Sequence, residues 1–161
     1  MQRPAPRPRP VQVREEERAA LRVLIVEDNP DGRESMRELL EIWGHQVELA
    51  ENGPQGVEKA FSSRPDVALV DIGLPGIDGN EVARRIRATL DPQQICLIAM
   101  TGYGQPEDRR RALQAGFDNY LIKPIDPARL ASLLDELRHR GRAPRLAEDN
   151  FGGAAEELIV A

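Results

Sequence analysis

The sequence predicts an α/β fold, a doubly wound parallel sheet of five strands with helices on both faces, and three observations carry that expectation. Five short apolar runs occur at residues 21–26, 46–50, 67–70, 95–100 and 119–122. Segments with apolar residues at helical spacing separate them, and short strands alternating with helical patterns read as repeated β-α units. Four of the runs also end in chemically capable residues: Glu27-Asp28, Asp71, Thr101 and Lys123. In an open parallel sheet, ligands bind outside the carboxyl ends of the strands, so these residues converge on one edge.

Taken in order, residues 21–26 are apolar throughout, as a strand covered on both faces should be. Pro30 suits the first turn of a helix. Met36, Leu39, Leu40 and Trp43 then give the i, i+3, i+4, i+7 spacing of an amphipathic helix, with Gly44 as its stop. Residues 46–50 alternate and predict a strand nearer an edge. Val57, Ala60 and Phe61 mark a second helix after Gly53-Pro54, and residues 67–70 form the third strand. The run from Leu74 to Gly79, Leu-Pro-Gly-Ile-Asp-Gly, is a loop by its turn chemistry.

Val82, Ala83, Ile86 and Leu90 predict the next helical face, and residues 95–100 the fourth strand. Pro106 to Gly116 brackets a helix whose one strong apolar anchor is Leu113, so this helix should be the most loosely held. After a strand at 119–122, Asp126 caps a helix with Pro127 at its first position. Leu130, Leu133, Leu134 and Leu137 give that helix an apolar stripe, and Gly141 ends it.

Composition narrows the function. A chain of 161 residues fits one domain with tails, and a formal net charge of −5 argues against a protein built mainly to bind nucleic acid. No apolar stretch is long enough to span a bilayer, so no membrane association is expected. The Pro/Arg-rich residues 1–20 lack the apolar core of a signal peptide and read as a disordered leader or linker. The domain is expected over residues 21–141. Residues 142–161 read as a disordered tail, with 156–160 left as a short helix or a docking peptide. The single cysteine, Cys96, lies inside an apolar run and reads as a core residue, which excludes a disulfide framework and suits the cytoplasm. His45 and His139 read as structural and surface residues. Arginine is used almost everywhere, and the only lysines are Lys59 and Lys123. Lys123, between an apolar strand and Pro124, is an unusual place for a mere surface charge.

Three carboxylates at adjacent strand ends raise one another's pKa unless a cation compensates. A hard ion such as Mg²⁺ does so, because it takes one or two carboxylates, waters and phosphate oxygens. A phosphoryl group on Asp71 would carry about two negative charges, and a hydroxyl and an ammonium are suited to hold it.

With Val26-Glu27-Asp28-Asn29, Asp71 followed by Leu74-Pro75-Gly76-Ile77-Asp78-Gly79, Thr101-Gly102 and Lys123-Pro124 in this order, the chain resembles the receiver domains of two-component response regulators. The resemblance covers roughly residues 21–140. It implies the flavodoxin-like strand order 2-1-3-4-5. It implies that Asp71 is the phosphoacceptor and that Asp28 and Asp71 bind Mg²⁺ directly. Glu27 would act on the ion through water, and the Gly73 carbonyl would complete the protein's share of the site. Thr101 and Lys123 would hold the phosphoryl oxygens, Tyr120 would be the switch aromatic, and Pro124 would follow a cis bond.

The implied partner is a sensor histidine kinase or a histidine phosphotransfer protein. The implied state is a monomer or a weak dimer linked to phosphorylation, with the charged face from Arg109 to Leu137 as one place to dimerise. The domain would be a signalling receiver rather than an enzyme, catalysing only its own phosphorylation and autodephosphorylation. The segment from Thr101 to Asp108 resembles receivers attached to hybrid histidine kinases. Glu27 departs from the aspartate commonest in the family. Gly73 and Tyr103 occupy positions that tune water access to the acyl phosphate.

Two enzyme classes fit less well. A haloacid-dehalogenase-like phosphatase wants a second acid two residues after its aspartate, where this chain has Gly73. A nucleotide-binding enzyme wants a glycine-rich loop after the first strand, where this chain has Glu27-Asp28-Asn29-Pro30. The alternative within the family is a pseudo-receiver acting as a phosphorylation-independent interaction domain. The intact set of five side chains speaks against it.

Overall fold

Alternation along three apolar strands divides the core into two layers, and this decides where everything else sits. A computed structural model describes residues 20–139. The strands are β1 (Arg22–Val26), β2 (Gln46–Ala50), β3 (Val67–Asp71), β4 (Cys96–Thr101) and β5 (Asn119–Ile122). The helices are α1 (Pro30–Ile42), α2 (Gly53–Ser63), α3 (Gly79–Arg87), α4 (Pro106–Ala115) and α5 (Pro127–His139). All strand pairs are parallel, in the order β2-β1-β3-β4-β5. The expected fold and strand order are therefore what the chain adopts, and β2 is an edge strand. The readings for the leader before Ala20, for Gly141 and for residues 142–161 lie outside the described residues.

Successive strand residues point to opposite faces of the sheet. Leu24, Val26, Ala68, Val70, Leu97 and Ala99 meet Ala60 of α2, Val82, Ala83 and Ile86 of α3, and Ala112 and Ala115 of α4. Val23, Ile25, Val67, Leu69, Cys96, Ile98 and Met100 meet Leu40 of α1 and Leu130, Leu133, Leu134 and Leu137 of α5. Fully burying the Val, Leu, Ile and Met side chains among these stabilises the fold by about 1.5–3 kcal/mol each before chain entropy is counted. Cys96 is buried here as expected, and burial pushes its thiol pKa up.

Several details differ from the sequence reading. Leu90 is buried but lies beyond the end of α3, in the turn leading to β4. Leu113 is only half-buried; α4 attaches through Ala112 and Ala115 instead, so its seat on the sheet is made by small side chains. Trp43 is the C-cap of α1 rather than a helical residue, and Gly44 follows it at φ +89°. Gly79 was expected in a loop but opens α3. A Cβ there would lie 2.4 Å from the Asp71 carbonyl oxygen and 2.6 Å from Ile72 Cα, both backbone, so only glycine permits this approach.

The buried His45 accepts a hydrogen bond at Nδ1 from the Leu21 N–H at 3.2 Å, tying the start of β1 to the turn before β2. Burial first, and then the nearby Arg138, push its pKa down to about 4. The folded state thus keeps His45 neutral where the unfolded chain, with an ordinary value near 6.5, takes a proton. Its contribution is present above pH 6.5 and is lost as pH falls toward 4. Urea midpoints for wild type should therefore drop more between pH 7 and 5 than those of His45→Gln. Parallel midpoint curves for the two proteins contradict this account.

Candidate functional site

The polar residues converge because the strands end nearly level. The Glu27 N–H donates to the Ala50 carbonyl at 3.1 Å, so the chain stays in line with the ladder beyond β1. Asp71 is the last residue of β3, opposite Met100, and Thr101 is the last of β4, opposite Ile122. Both belong to their strands rather than lying just past them, which pins their backbones by the ladder. The Lys123 N–H donates to the Thr101 carbonyl at 2.7 Å, fixing the end of β5 against β4. Asn29 caps α1, its Oδ1 accepting from the N–H groups of Asp31 at 2.9 Å and Gly32 at 3.2 Å, and so turns the chain away directly after the acidic pair. The Gly73 N–H donates to Asp71 Oδ1 at 2.9 Å.

Lys123 supplies the central contact. Its Nζ lies 2.8 Å from Glu27 Oε1 and 3.2 Å from Asp71 Oδ2. Glu27, Asp28 and Asp71 each offer a carboxylate oxygen within 4.8 Å of the others. Glu27 and Asp71 are buried, whereas Asp28 is exposed. Glu27 Oε2 is buried and has no hydrogen-bond partner.

Burial, and then the neighbouring Asp71 carboxylate, push the Glu27 pKa up to about 7 against the pull of Lys123. Burial also works to raise Asp71, but the adjacent Glu27, the Gly73 N–H and Lys123 hold it below the ordinary range. Burial works against the charged form of Lys123. Its partners Glu27 and Asp71 outweigh that and raise its pKa. The surroundings thus push the two carboxylates in opposite directions, Glu27 up and Asp71 down. An all-oxygen donor set with an unpartnered buried carboxylate oxygen fits a hard divalent cation.

Thr101 and Tyr120 stand apart from this cluster. Thr101 shares the side-chain parity of Leu97 and Ala99, which face α2, α3 and α4. Its hydroxyl donates to the Tyr103 carbonyl and accepts from the Tyr103 N–H, both at 3.1 Å. Tyr120 packs on the same side of the sheet. The Lys123-Pro124 bond is cis. Gly73 and Tyr103 are exposed, Tyr103 at 75%.

Two arginines also touch these residues; from sequence Arg33 was not singled out, and Arg109 was named only as part of a charged dimerisation face. Arg33 Nη1 donates to the Glu27 carbonyl at 2.8 Å, and its Nη2 lies 3.5 Å from Glu51, so it braces the turn that carries the acidic pair. Its place in the first turn of α1, close after that pair, was a usable signal. Arg109 Nε donates to Tyr120 Oη at 2.6 Å, a contact between α4 and β5 that no local spacing announces.

The family model described as "Response regulator receiver domain" matches residues 23–135. The receiver domain of sensor histidine kinase PA1611 from Pseudomonas aeruginosa PAO1, solved with a magnesium ion coordinated in its active-site cleft, is 36% identical. That alignment covers 75% of this chain and 99% of that one, with a TM-score of 0.68. A CheY-like receiver domain protein from Methanospirillum hungatei JF-1 is 32% identical over 76% of this chain and 96% of its own, with a TM-score of 0.69. Response regulator MprA of Mycobacterium ulcerans is 36% identical over 130 residues, 81% of this chain but 54% of that protein. The chain therefore spans about half the length of that regulator.

The carboxylate pair makes a measurable claim. Glu27 should titrate near pH 7 and Asp71 well below it when followed by carboxyl ¹³C NMR. Replacing Lys123 by alanine removes a cation that opposes the shift, so Glu27 should move higher still. Because its folded pKa lies above the unfolded one, Glu27 favours the metal-free fold below about pH 4.5, and that contribution is lost as pH rises toward 7. A Glu27 resonance titrating in the ordinary carboxylate range overturns this picture of the site.

Proposed function

The chain belongs to the family of response regulator receiver domains, and on that premise we propose that it takes a phosphoryl group from a histidine kinase or a phosphotransfer protein onto Asp71 in two-component signalling. One observation carries the reading: the Lys123 Nζ lies 3.2 Å from Asp71 Oδ2 and 2.8 Å from Glu27 Oε1, so a single cation sits against the strand-end aspartate beside the acidic pair.

An ionised carboxylate is the form that attacks phosphorus. An Asp71 oxygen forms the new O–P bond as the N–P bond of a phosphohistidine breaks, and the histidine nitrogen keeps the electron pair. Lys123 exchanges part of its contact with Asp71 for a phosphoryl oxygen and balances the charge delivered there. The Gly73 N–H keeps the carboxylate oriented from its other oxygen. Asp28, Asp71 and the Gly73 carbonyl would hold Mg²⁺, with Glu27 acting through water. When bound, the ion supplies neutralisation of charge on the phosphoryl oxygens.

Thr101 is the sensor of the product. To donate to a phosphoryl oxygen, its hydroxyl must give up its donation to the Tyr103 carbonyl and turn, and that turn would open space for Tyr120. The domain then presents a different surface along α4, β5 and α5, a population shift driven by contacts that only the phosphoryl group makes. That surface meets a protein partner or a second copy of the domain. As a signalling module the chain catalyses only its own phosphorylation and the loss of that group.

Incubation with acetyl phosphate and Mg²⁺ should add one phosphoryl increment to the intact mass of wild type and none to Asp71→Asn. Lys123→Ala should slow the addition by about 100-fold. Mg²⁺ half-saturation should weaken as pH falls below about 7, because Glu27 then takes a proton that competes with the ion. An increment that survives in Asp71→Asn would falsify the assignment of the acceptor.

A further inference from the structure

α4 is held to the sheet by little apolar surface, since its buried side chains are the small Ala112 and Ala115. Against that weak seat, one polar contact stands out. Arg109, in the first turn of α4, donates from Nε to Tyr120 Oη at 2.6 Å, and its guanidinium carbon lies 4.8 Å from the centroid of the same ring. A single side chain thus grips the ring by its hydroxyl and by its face. A hydrogen bond from a charged donor is among the stronger kinds, and the cation over the ring adds to it. Other arginines nearby are engaged elsewhere: Arg111 with Glu107 at 2.9 Å, and Arg87 with Asp118 at 2.5 Å. The loop before α4 closes over the same hydroxyl, because a Cβ on Gly104 would lie 3.6 Å from Tyr120 Oη. Thr101, on the neighbouring strand and the same face of the sheet, keeps its hydroxyl on the Tyr103 backbone.

We propose that Arg109 is a positioning residue for the switch: its contact with Tyr120 holds the ring against α4 in the resting arrangement, and so sets how strongly the domain resists the change that phosphorylation drives. This rests on Asp71 being the phosphoacceptor. When Thr101 turns toward a phosphoryl group, Tyr120 moves into the space released. The ring then breaks its bond to Arg109. The contact is thus specific to the resting arrangement, and only such a differential contact shifts an equilibrium. Arg109 is therefore a brake, and a weaker brake makes the active arrangement easier to reach.

Beryllofluoride with Mg²⁺ serves as the acyl-phosphate mimic, titrated against the full chain and followed by amide NMR, with circular dichroism confirming that each variant is folded. Arg109→Ala should lower the half-saturating concentration by about three- to tenfold. Loss of a positive charge alone weakens binding of an anionic ligand, so tighter binding is not a charge effect. Arg109→Lys keeps the helix and the charge but loses the forked donor, and should tighten binding by a smaller factor. In a Tyr120→Phe background, Arg109→Ala should have a clearly smaller effect, because the Nε–Oη bond is already gone. A purely structural role for Arg109 moves both backgrounds equally. Equal effects in the two backgrounds, or binding unchanged or weakened by Arg109→Ala, overturn the brake while leaving the acceptor intact. Wild type that fails to bind, or binding that persists in Asp71→Asn, overturns the acceptor assignment and the brake with it.

Discussion

A lysine ammonium shared between two carboxylates that come from different strands is the contact on which the site depends. Lys123 bridges Glu27 at the end of β1 and Asp71 at the end of β3, although its own strand lies at the far edge of the sheet. The reach works because the strands are parallel and end nearly level, and because the Lys123 backbone is tied to Thr101. Without that cation, buried carboxylates in contact would repel one another and lose hydration together. With it, the charge is distributed unevenly. The surroundings lower the Asp71 pKa and raise that of Glu27, although both touch the same ammonium.

The alternation of side chains across the sheet places Asp71 and Thr101 in opposite layers. The odd-numbered residues of β3 share the layer of α1 and α5, and Asp71 closes that series. Thr101 closes the opposite series on β4, which faces the helices α2, α3 and α4. Tyr120 packs in that second layer, beside α4, whose buried side chains are the small Ala112 and Ala115. The Arg109–Tyr120 hydrogen bond is therefore a large part of what ties that helix to β5.

Much of this was legible in the chain. Apolar runs four to six residues long, set between helical patterns, left little room for another fold class, and β2 and β5 were bounded correctly to the residue. The acidic pair, the aspartate and the lysine stood out because each sits at the end of an apolar run that reads as a strand. What failed were judgements that depend on depth. Leu113 looked like the anchor of α4 because it is large, but the close approach of the helix gives that task to Ala112 and Ala115. Gly79 looked like loop chemistry, but its reason is the backbone of Asp71 lying within 2.4 Å of where a Cβ would be.

By itself the sequence determined the strands, the helices, the edge of the sheet where chemistry collects, and the residue types gathered there. Those properties follow from local periodicity and from the rule that parallel strands place their carboxyl ends on one side. Only the tertiary structure decided which partners the polar side chains choose. It bound Thr101 to the Tyr103 backbone rather than to the acidic cluster, Arg33 to the carbonyl of Glu27, and Arg109 to Tyr120. The Arg109–Tyr120 pairing joins a helix to a strand, and its geometry exists only once α4 has packed on the sheet.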